Sequence, residues 1–233
     1  MKKAMKKTFL IIGILFLSQL SFSQDSTKFE ILLRINPQAI INPYTPTIQS
    51  GIEMRFNRKF ALEFDYGHQF NKFELWKNDN KDNLNRNYYK LKFGAKYYPI
   101  NQQFSEKFDM LPYIGIAYFY IPNYYTLRND WFTDSNGNQY TFDAVDIFKE
   151  TNIITLKLGA EYVISKRLNI DFSGEVGLRN ARVSHLSYVN KAETDDFYWT
   201  EWGFLAPNIK YPMVRNSIYL GVNLKIGFIP FKI

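Results

Sequence analysis

Residues 167–179 read RLNIDFSGEVGLR, and the stretch alternates between two kinds of side chain. The even positions are Leu, Ile, Phe, Gly, Val and Leu, whereas the odd positions are Arg, Asn, Asp, Ser, Glu, Gly and Arg. Successive side chains of a β-strand point to opposite faces, so a period of two predicts a strand. The two faces of this strand must meet different surroundings, one apolar and one polar.

Seven further segments show the same alternation, which predicts eight antiparallel strands in all. The predicted strands cover residues 28–36, 48–56, 60–70, 87–98, 110–121, 152–164, 167–179 and 217–228. Segments of about 9–13 residues match the length of tilted strands that cross a membrane. The connections alternate between short turns and long polar loops, of which the longest hold about 29 and 35 residues, as in membrane barrels. Within the first of these loops, residues 131–133 and 139–142 predict a small hairpin around a turn at 134–138.

The first 23 residues predict a cleaved signal peptide rather than part of the fold. A basic start is followed by a short apolar run at residues 9–17 and by Ser21-Phe22-Ser23, a small-x-small cleavage pattern. The apolar run is too short to cross a bilayer as a helix. We therefore expect one mature β-domain at residues 24–233.

Composition excludes several function classes. The chain has no Cys and two His, so neither a disulfide framework nor a thiolate or multi-histidine metal site is expected. The formal net charge is +7, of which the four lysines of the signal peptide supply a large part. In the mature chain basic and acidic residues share the same strands, so no nucleic-acid surface, metal or cofactor is predicted.

The polar face of the predicted strands is expected to be the inside of a closed barrel. A lipocalin-type barrel, with its apolar face inside, is the alternative. Glycines accompany the charges on the polar face, where a narrow cylinder needs small residues, and the apolar face is too bulky for an eight-strand interior. The glycines in question are Gly51, Gly67, Gly94, Gly115, Gly159, Gly177, Gly221 and Gly227.

Buried charges are tolerated when they are paired, so the interior is predicted to hold a salt-bridged network. We expect Glu63 and Asp65 to face the lysines of strand four, and Lys225 to face Glu30. We also expect Lys157 and Glu161 to face the carboxylates of strand seven. The full predicted network is Glu30, Arg34, Glu53, Arg55, Glu63, Asp65, Lys90, Lys92, Lys96, Lys157, Glu161, Asp171, Glu175, Arg179 and Lys225. Such a network predicts a plugged lumen rather than an open pore.

Aromatic residues are predicted at two places outside the network. Girdles at the two membrane interfaces would comprise Phe56, Phe60, Tyr97, Tyr98, Phe228 and Phe231 at one end and Tyr118, Tyr120, Tyr124 and Tyr125 at the other. Surface contacts in the long loops are predicted for Trp131, Phe132, Tyr198, Trp199 and Trp202. Packing inside a folded loop cap is the alternative for this second set.

On these patterns the chain resembles the small eight-stranded outer-membrane β-barrels, such as the transmembrane part of outer-membrane protein A. The resemblance implies an all-β, up-and-down barrel in the outer membrane with both termini in the periplasm. It also implies lipid and lipopolysaccharide as surroundings, the barrel-assembly machinery as a partner, and a structural or surface-binding role toward an undefined extracellular ligand. The carboxyl end departs from the family, because Pro230 is predicted to end the strand before Phe231.

One alternative is enzymatic. His185-Leu186-Ser187 resembles the His-x-Ser of the lipid A deacylases, in which a histidine activates a serine and an acid orients the histidine. Glu193 or Glu201 could supply that acid, although Tyr188 stands where the family has Asn. The alternation of strand seven places both His185 and Ser187 on the interior face, away from a lipid substrate, unless a bulge reverses the alternation. A narrow channel is the second alternative, and the plugged lumen argues against it.

Overall fold

The computed structural model describes residues 29–42, 45–56, 59–70, 84–99, 109–134, 138–165, 167–194 and 212–232. The predicted signal peptide and four predicted site residues lie outside the described residues. The four are Tyr198, Trp199, Glu201 and Trp202. In the described part of the chain, no helix has the length and apolarity needed to cross a membrane.

Nine strands and one short 3-10 helix make up the described chain. The helix, Pro37–Ile41, follows β1, and the side chain of Asn36 caps it by accepting a hydrogen bond from the backbone of Ala39. The strands are β1 (Glu30–Asn36), β2 (Thr47–Phe56), β3 (Phe60–Gln69), β4 (Leu84–Tyr97), β5 (Asp109–Thr133), β6 (Gln139–Val163), β7 (Leu168–Val189), β8 (Ala192–Thr194) and β9 (Met213–Lys232).

The strands form one antiparallel sheet that closes on itself. The order around the ring is β5-β4-β3-β2-β1-β9-β7-β6, and β6 pairs with β5 to complete eight strands. The all-β class and the eight-stranded antiparallel ring agree with the sequence prediction. The ninth strand, β8, was not predicted; it pairs with residues 139–141 at the far end of β6.

The ring closes with a register shift of ten residues. Hydrogen-bonded neighbours can be followed from Arg179 once around the sheet, and the path returns to β7 at Asn169. The path is Arg179, Ile153, Phe119, Lys92, Asp65, Gly51, Arg34, Gly227 and Asn169. With eight strands, this shift inclines the strands by about 40° to the axis of the ring.

Three strands are much longer than predicted, because they continue past the ring. We call the end with the short turns after Phe56 and Val163 the lower end. At the upper end, residues 121–133 of β5, 139–151 of β6, 181–189 of β7 and the whole of β8 form what we call the extension. The predicted 29-residue loop between strands five and six is therefore wrong, because the two strands pair as far as Thr133 and Gln139. This pairing confirms the small hairpin predicted from residues 131–133 and 139–142.

The expected stop at Pro230 is also wrong, because β9 continues to Lys232. β1 pairs Leu33 with Phe228 and Ile31 with Phe231, so the register shifts between these two pairs. A proline has no backbone N–H for the ladder, and bulges are one of the places in a sheet where it is found. The irregularity thus lets β9 extend to its end with Pro230 in place.

Candidate functional site

The ring has an outer face of apolar side chains and an interior of charged ones. Leu220, Leu178 and Leu158 on the outer face are 76%, 72% and 68% exposed. Charged side chains dominate the interior, and the largest fully buried ones include Arg34, Lys92, Lys96, Lys157 and Lys225. This is the reverse of a water-soluble domain, where charged groups are rarely buried and large apolar patches are rarely exposed.

A cluster of three carboxylates and three cations fills the lower part of the interior, and we call it the lower ion cluster. It comprises Arg34, Glu53, Arg55, Lys96, Glu161 and Asp171. Arg34 bridges two carboxylates, with Nη2 2.7 Å from Glu161 and Nη1 2.6 Å from Asp171. Lys96 Nζ lies 2.8 Å from Glu53 and 2.6 Å from Asp171, and Arg55 also pairs with Glu161. The formal charges balance, as burial requires.

Neutral side chains complete the lower ion cluster. Tyr98 donates to Glu161 at 2.6 Å, Tyr113 donates to Asp171 at 2.7 Å, and Asn169 donates to Glu161 at 3.1 Å. The predicted place of Tyr98 in an outer girdle is therefore wrong, because its ring is buried in the interior. Even-numbered residues of β4 face inward, and Tyr98 follows that alternation one residue beyond the strand.

A second balanced set, the upper ion cluster, lies above the first. It comprises Glu63, Asp65, Lys92, Lys157, Glu175 and Lys225. Lys157 Nζ lies 2.5 Å from Glu63, and Lys225 Nζ lies 3.0 Å from Glu63 and 2.6 Å from Asp65. Lys92 pairs with Glu175 across the interior at 2.7 Å. The expected pairing of Lys225 with Glu30 is wrong, because the tilt of the strands sets Lys225 level with the carboxylates of β3.

The other predicted members of the network lie at its edges. Glu30 is 3.8 Å from Arg55 at the lower end. Lys90 donates to the backbone oxygen of Thr45 at 2.7 Å rather than to a carboxylate of β3. Arg179 donates from Nε to the hydroxyl of Ser217 at 2.9 Å. The structure therefore brings twelve of the fifteen predicted residues into the two clusters and sets these three around them.

Glycines make room for the charged side chains. A Cβ atom on Gly94 would overlap the carboxylate of Glu63, and one on Gly51 would overlap that of Asp65. Both carboxylates belong to the upper ion cluster. Glycine on the polar face thus follows from the packing of the charges in a narrow interior.

Three carboxylates of the lower ion cluster are close enough together to suggest a metal site. Oxygens of Glu53, Glu161 and Asp171 lie within 4.8 Å of one another. Arg34 and Lys96, however, occupy the positions between these oxygens. A cation would have to displace both side chains, so the arrangement serves the ion pairs and does not fit a metal.

Above the two ion clusters, the interior is lined first by apolar side chains and then by basic ones. Phe119, Ile153 and Tyr219 pack as an apolar layer, with the ammonium of Lys92 4.6 Å from the centre of the Phe119 ring. Above this layer four basic side chains face the interior: Arg86, Lys149, Arg179 and Arg215. Burial, together with the charges of Arg179 and Arg86, lowers the pKa of Lys149 to about 8.

The polarity of the two faces reverses along continuous strands. On β6 the outward positions are Leu158, Leu156 and Ile154 below, and Glu150 and Asp146 above. The inward positions change from Glu161 and Lys157 below to Ile147 and Val145 above. The reversal occurs at what we call the polar row, Asn152, Asn180 and Asn216, which are neighbours on β6, β7 and β9. Asn180 donates to Asn216 at 2.7 Å, and Tyr118 donates to Asn152.

The extension has an ordinary hydrophobic core on its inward face. Its buried members are Leu127, Phe132, Phe142, Val145, Ile147, Ala181 and Val183. The prediction of Phe132 as a surface contact is wrong, since it is 3% exposed, and the loop-cap alternative applies to it. Tyr125, predicted for an outer girdle, also packs against this core, and Trp131 is half-buried.

The structure separates His185 from Ser187. A bulge at Leu186 shifts the register, so that His185 pairs with Ile147 and Ser187 pairs with Asp146. His185 Nδ1 lies 2.8 Å from the Tyr188 hydroxyl on the inward face. Ser187 donates to Asp146 at 2.8 Å on the outward face. The predicted interior position of Ser187 is wrong, and the two side chains do not form a hydrolytic pair.

Asp146 is held as an anion on the outside of the extension. Thr126 donates to it at 2.7 Å from β5, and Ser187 donates from β7. These two hydrogen bonds hold the pKa of Asp146 below its usual value. Ser187 therefore acts as a partner of a carboxylate that links three strands.

Sequence reasoning missed the reversal at the polar row, although a signal for it was present. Along β7 the apolar residues move from even positions up to Leu178 to odd positions at Ala181 and Val183, with Asn180 between. Comparison of the chain with known proteins gives no match. No family model, no curated protein and no solved structure matches the chain.

Proposed function

We propose that the protein is an integral outer-membrane β-barrel with a plugged lumen. Its non-enzymatic role is to hold the extension outside the membrane as a structural or surface-binding element. The lower ring would lie in the membrane, and both ends of the chain would lie on the periplasmic side with the short turns. Lipid and lipopolysaccharide would surround it, and the barrel-assembly machinery would insert it.

The reversal of polarity at the polar row is the observation that carries this proposal. β5, β6 and β7 run without a break from the ring into the extension, yet their outward side chains change from apolar to largely polar, with Tyr124, Leu186 and Val189 as exposed exceptions. A change on the outward face of one strand requires a change of medium on that side. Hydrocarbon below the polar row and water above it account for both halves of each strand.

The height of the apolar outer band fits a bilayer. On β7 the band runs from Ile170 to Leu178. At a rise of about 3.3 Å per residue and a tilt of about 40°, nine residues span roughly 23 Å. The lipid-facing band of outer-membrane barrels is about 25 Å tall.

Aromatic pairs on the outer face support the same placement. Near the lower end, the rings of Phe60 and Tyr97 lie 5.1 Å apart. Near the polar row, Tyr89 packs 6.4 Å from Tyr120. Aromatic side chains at the two interfaces hold a barrel at its depth in the membrane.

The two ion clusters favour a plug over a channel. Each cluster spans the interior, since Arg55 on β2 reaches Glu161 on β6, the strand opposite in the ring, and Lys225 on β9 reaches Asp65 on β3, three strands away. An eight-stranded interior is just wide enough to be filled by side chains. In planar lipid bilayers we expect no steady large conductance, and regular large openings would contradict the plug.

The membrane proposal is tested by heat-modifiable gel migration. The protein extracted in mild detergent should migrate differently before and after boiling in dodecyl sulfate, and it should float with lipid vesicles in a density gradient. Recovery of a stable, monomeric protein from water without detergent would refute membrane insertion. The variant Leu156→Asp provides a check, because it places a charge in the middle of the outer band and should reduce recovery in vesicles.

A further inference from the structure

Three aromatic rings on the extension pack against one another beside a single ammonium group, and we call these rings the aromatic platform. Phe132, Tyr140 and Tyr188 come from β5, β6 and β7, and the ring of Phe132 lies 5.3 Å from Tyr140 and 5.6 Å from Tyr188. The corresponding angles between ring planes are 25° and 24°, so both tyrosine rings stack against Phe132, which is 3% exposed. Phe142 packs against the platform at 6.3 Å from Phe132 and supports it from the core.

The chain's own Lys191 occupies this platform. Its Nζ atom lies 3.8 Å from the centre of the Tyr140 ring, 5.0 Å from Tyr188 and 5.1 Å from Phe132. Lys191 follows Asn190, which has a positive φ of 53° and donates to Asp143 at 2.5 Å. The sharp turn at Asn190 brings the lysine back over the strand that precedes it.

One platform ring is fixed by a polar contact. The hydroxyl of Tyr188 lies 2.8 Å from Nδ1 of His185, and the His185 ring packs edge-on against Phe132 at 5.1 Å. His185 is thus a positioning residue for the platform. The bulge at Leu186, which separates His185 from Ser187, keeps His185 on this face.

A cation over several ring faces is the arrangement that recognises alkylated ammonium groups. A lysine ammonium is compact and strongly hydrated, so it loses much hydration on the rings. A trimethylammonium group is larger and more weakly hydrated, and it presents methyl groups to the ring faces. The platform therefore suits a methylated ammonium better than the lysine that covers it.

We propose that Phe132, Tyr140 and Tyr188 form a binding site for alkylated ammonium groups, with Lys191 as an internal competitor that the ligand displaces. Because Lys191 is tethered beside the site, its effective concentration is high and it weakens binding of external ligands. Either a free quaternary ammonium compound or a choline-type lipid head group carries the required chemistry. The site lies on the extension, so its chemistry does not depend on membrane insertion of the ring.

Binding of tetramethylammonium to the purified full chain in a non-ionic detergent tests the proposal. The measurement is saturation-transfer NMR, with the ligand titrated against wild type and Lys191→Ala. Removing the competitor should tighten binding about tenfold. Arg182→Ala is the matched control, because it removes an exposed cation from the outward face of β7 and should leave the affinity unchanged.

A second variant separates the site from a general effect of charge. Tyr140→Leu in the Lys191→Ala background removes the ring closest to the ammonium and should abolish the gain. Circular dichroism and heat-modifiable migration establish that each variant is folded. A folded Lys191→Ala protein that binds no tighter than wild type, or a gain in affinity that survives Tyr140→Leu, would overturn the proposal.

A parallel experiment distinguishes a soluble ligand from a lipid head group. Lys191→Ala is titrated with choline and, separately, reconstituted with phosphatidylcholine or phosphatidylglycerol vesicles while bound tetramethylammonium is monitored. Displacement by phosphatidylcholine alone identifies a lipid head group, whereas displacement by choline without a lipid effect identifies a soluble ligand. Displacement by neither agent would contradict a site for alkylated ammonium groups.

Discussion

The lower ring and the extension are built from the same strands but are packed in opposite ways. In the ring, Glu161 and Lys96 are buried while Leu156 and Leu178 face outward. In the extension, Ile147 is buried while Asp146 faces outward. A strand fixes only that alternate side chains share a face, and the surroundings decide which set turns inward. Of the four predictions that follow, the first three compare matched positions on the two sides of the polar row, and the fourth concerns the extension alone.

The largest expected effect is the loss of a charge from the lower ion cluster. Glu161→Gln keeps the shape of the side chain but leaves Arg34, Arg55 and Lys96 short of one carboxylate. Breaking a buried network from one side costs about 3–5 kcal/mol. We expect a loss of this size in urea unfolding in detergent micelles, followed by tryptophan fluorescence.

Glu150→Gln is the control on the other side of the polar row. Glu150 faces outward on β6 and accepts a hydrogen bond from Asn152 at 3.0 Å. Glu150 is half-buried on that surface, and its replacement should cost less than about 1 kcal/mol, as is usual for charged groups at a protein surface. Equal losses for the two variants would contradict the difference between a sealed interior and a wet outer face.

The second effect concerns a new charge on the outer face. Leu156→Lys, in the middle of the apolar band, should destabilise the protein in lipid vesicles by about 2–4 kcal/mol, the cost of a lysine at the bilayer midplane. Ser187→Lys lies on the same outer face above the polar row, next to Asp146, and should change stability by less than about 0.5 kcal/mol. Urea titration of both variants in vesicles measures the contrast, and tolerance of lysine at position 156 would place that face in water.

The third effect compares one methylene on each side of the polar row. Ile147 is 1% exposed in the core of the extension, whereas Ile154 is 66% exposed on the outer band. Ile147→Val should cost about 1 kcal/mol through a packing defect. Ile154→Val should cost less than half of that, because the detergent around the outer band can fill the space. Thermal unfolding of the two variants in the same micelles compares them, and a larger effect at position 154 would reverse our assignment of the core.

The smallest effect is a pH dependence that belongs to the extension alone. The folded-state pKa of Lys149 is about 8, below its usual value of 10.5, because of burial and of Arg179 and Arg86. Between pH 8 and 10 the unfolded chain therefore binds more protons at this residue than the folded chain, so folding becomes more favourable as pH rises. We expect wild type to gain on the order of 1 kcal/mol relative to Lys149→Met over this range. Unfolding titrations at several pH values measure the difference in the free energy of unfolding between wild type and Lys149→Met. Arg182→Met is the control, because the charge of Arg182 does not titrate in this range. A difference between wild type and Lys149→Met that stays constant with pH would contradict the prediction.

Alternation of side chains was enough to predict the lower ring. It placed Glu63, Lys157 and Lys225 in the interior and Leu158 and Phe93 on the outer face. The alternation of apolar and polar residues is regular wherever one face of a strand is uniformly apolar. The pairing of the charges was harder to predict. Lys225 meets Asp65 rather than Glu30 because the register shift of the closed sheet lifts each strand relative to its neighbour. That shift is a property of the whole ring and does not appear in any one strand.

The extension escaped prediction for a local reason. A bulge at Leu186 and the positive φ of Asn129 interrupt the alternation of β7 and β5, so these stretches looked like loop. The reversal at Asn180 had the same effect, because the interior face of the extension carries Ala181 and Val183 where charges were expected. Residues such as Phe132 and Ser187 were therefore assigned to the wrong surroundings.

The closure of the ring has a consequence for how the chain reaches its folded state. Arg34 lies near the start of the described chain, and its partners Glu161 and Asp171 follow 127 and 137 residues later. Lys225 lies near the end, and its partners Glu63 and Asp65 precede it by 162 and 160 residues. Such distant contacts make folding slow, because the entropy of closing long loops is lost before the contacts form. Until β9 is available, Glu63 and Asp65 of the upper ion cluster lack Lys225, and the sheet cannot close between β1 and β7. The upper ion cluster can therefore be balanced only after the last strand has been made.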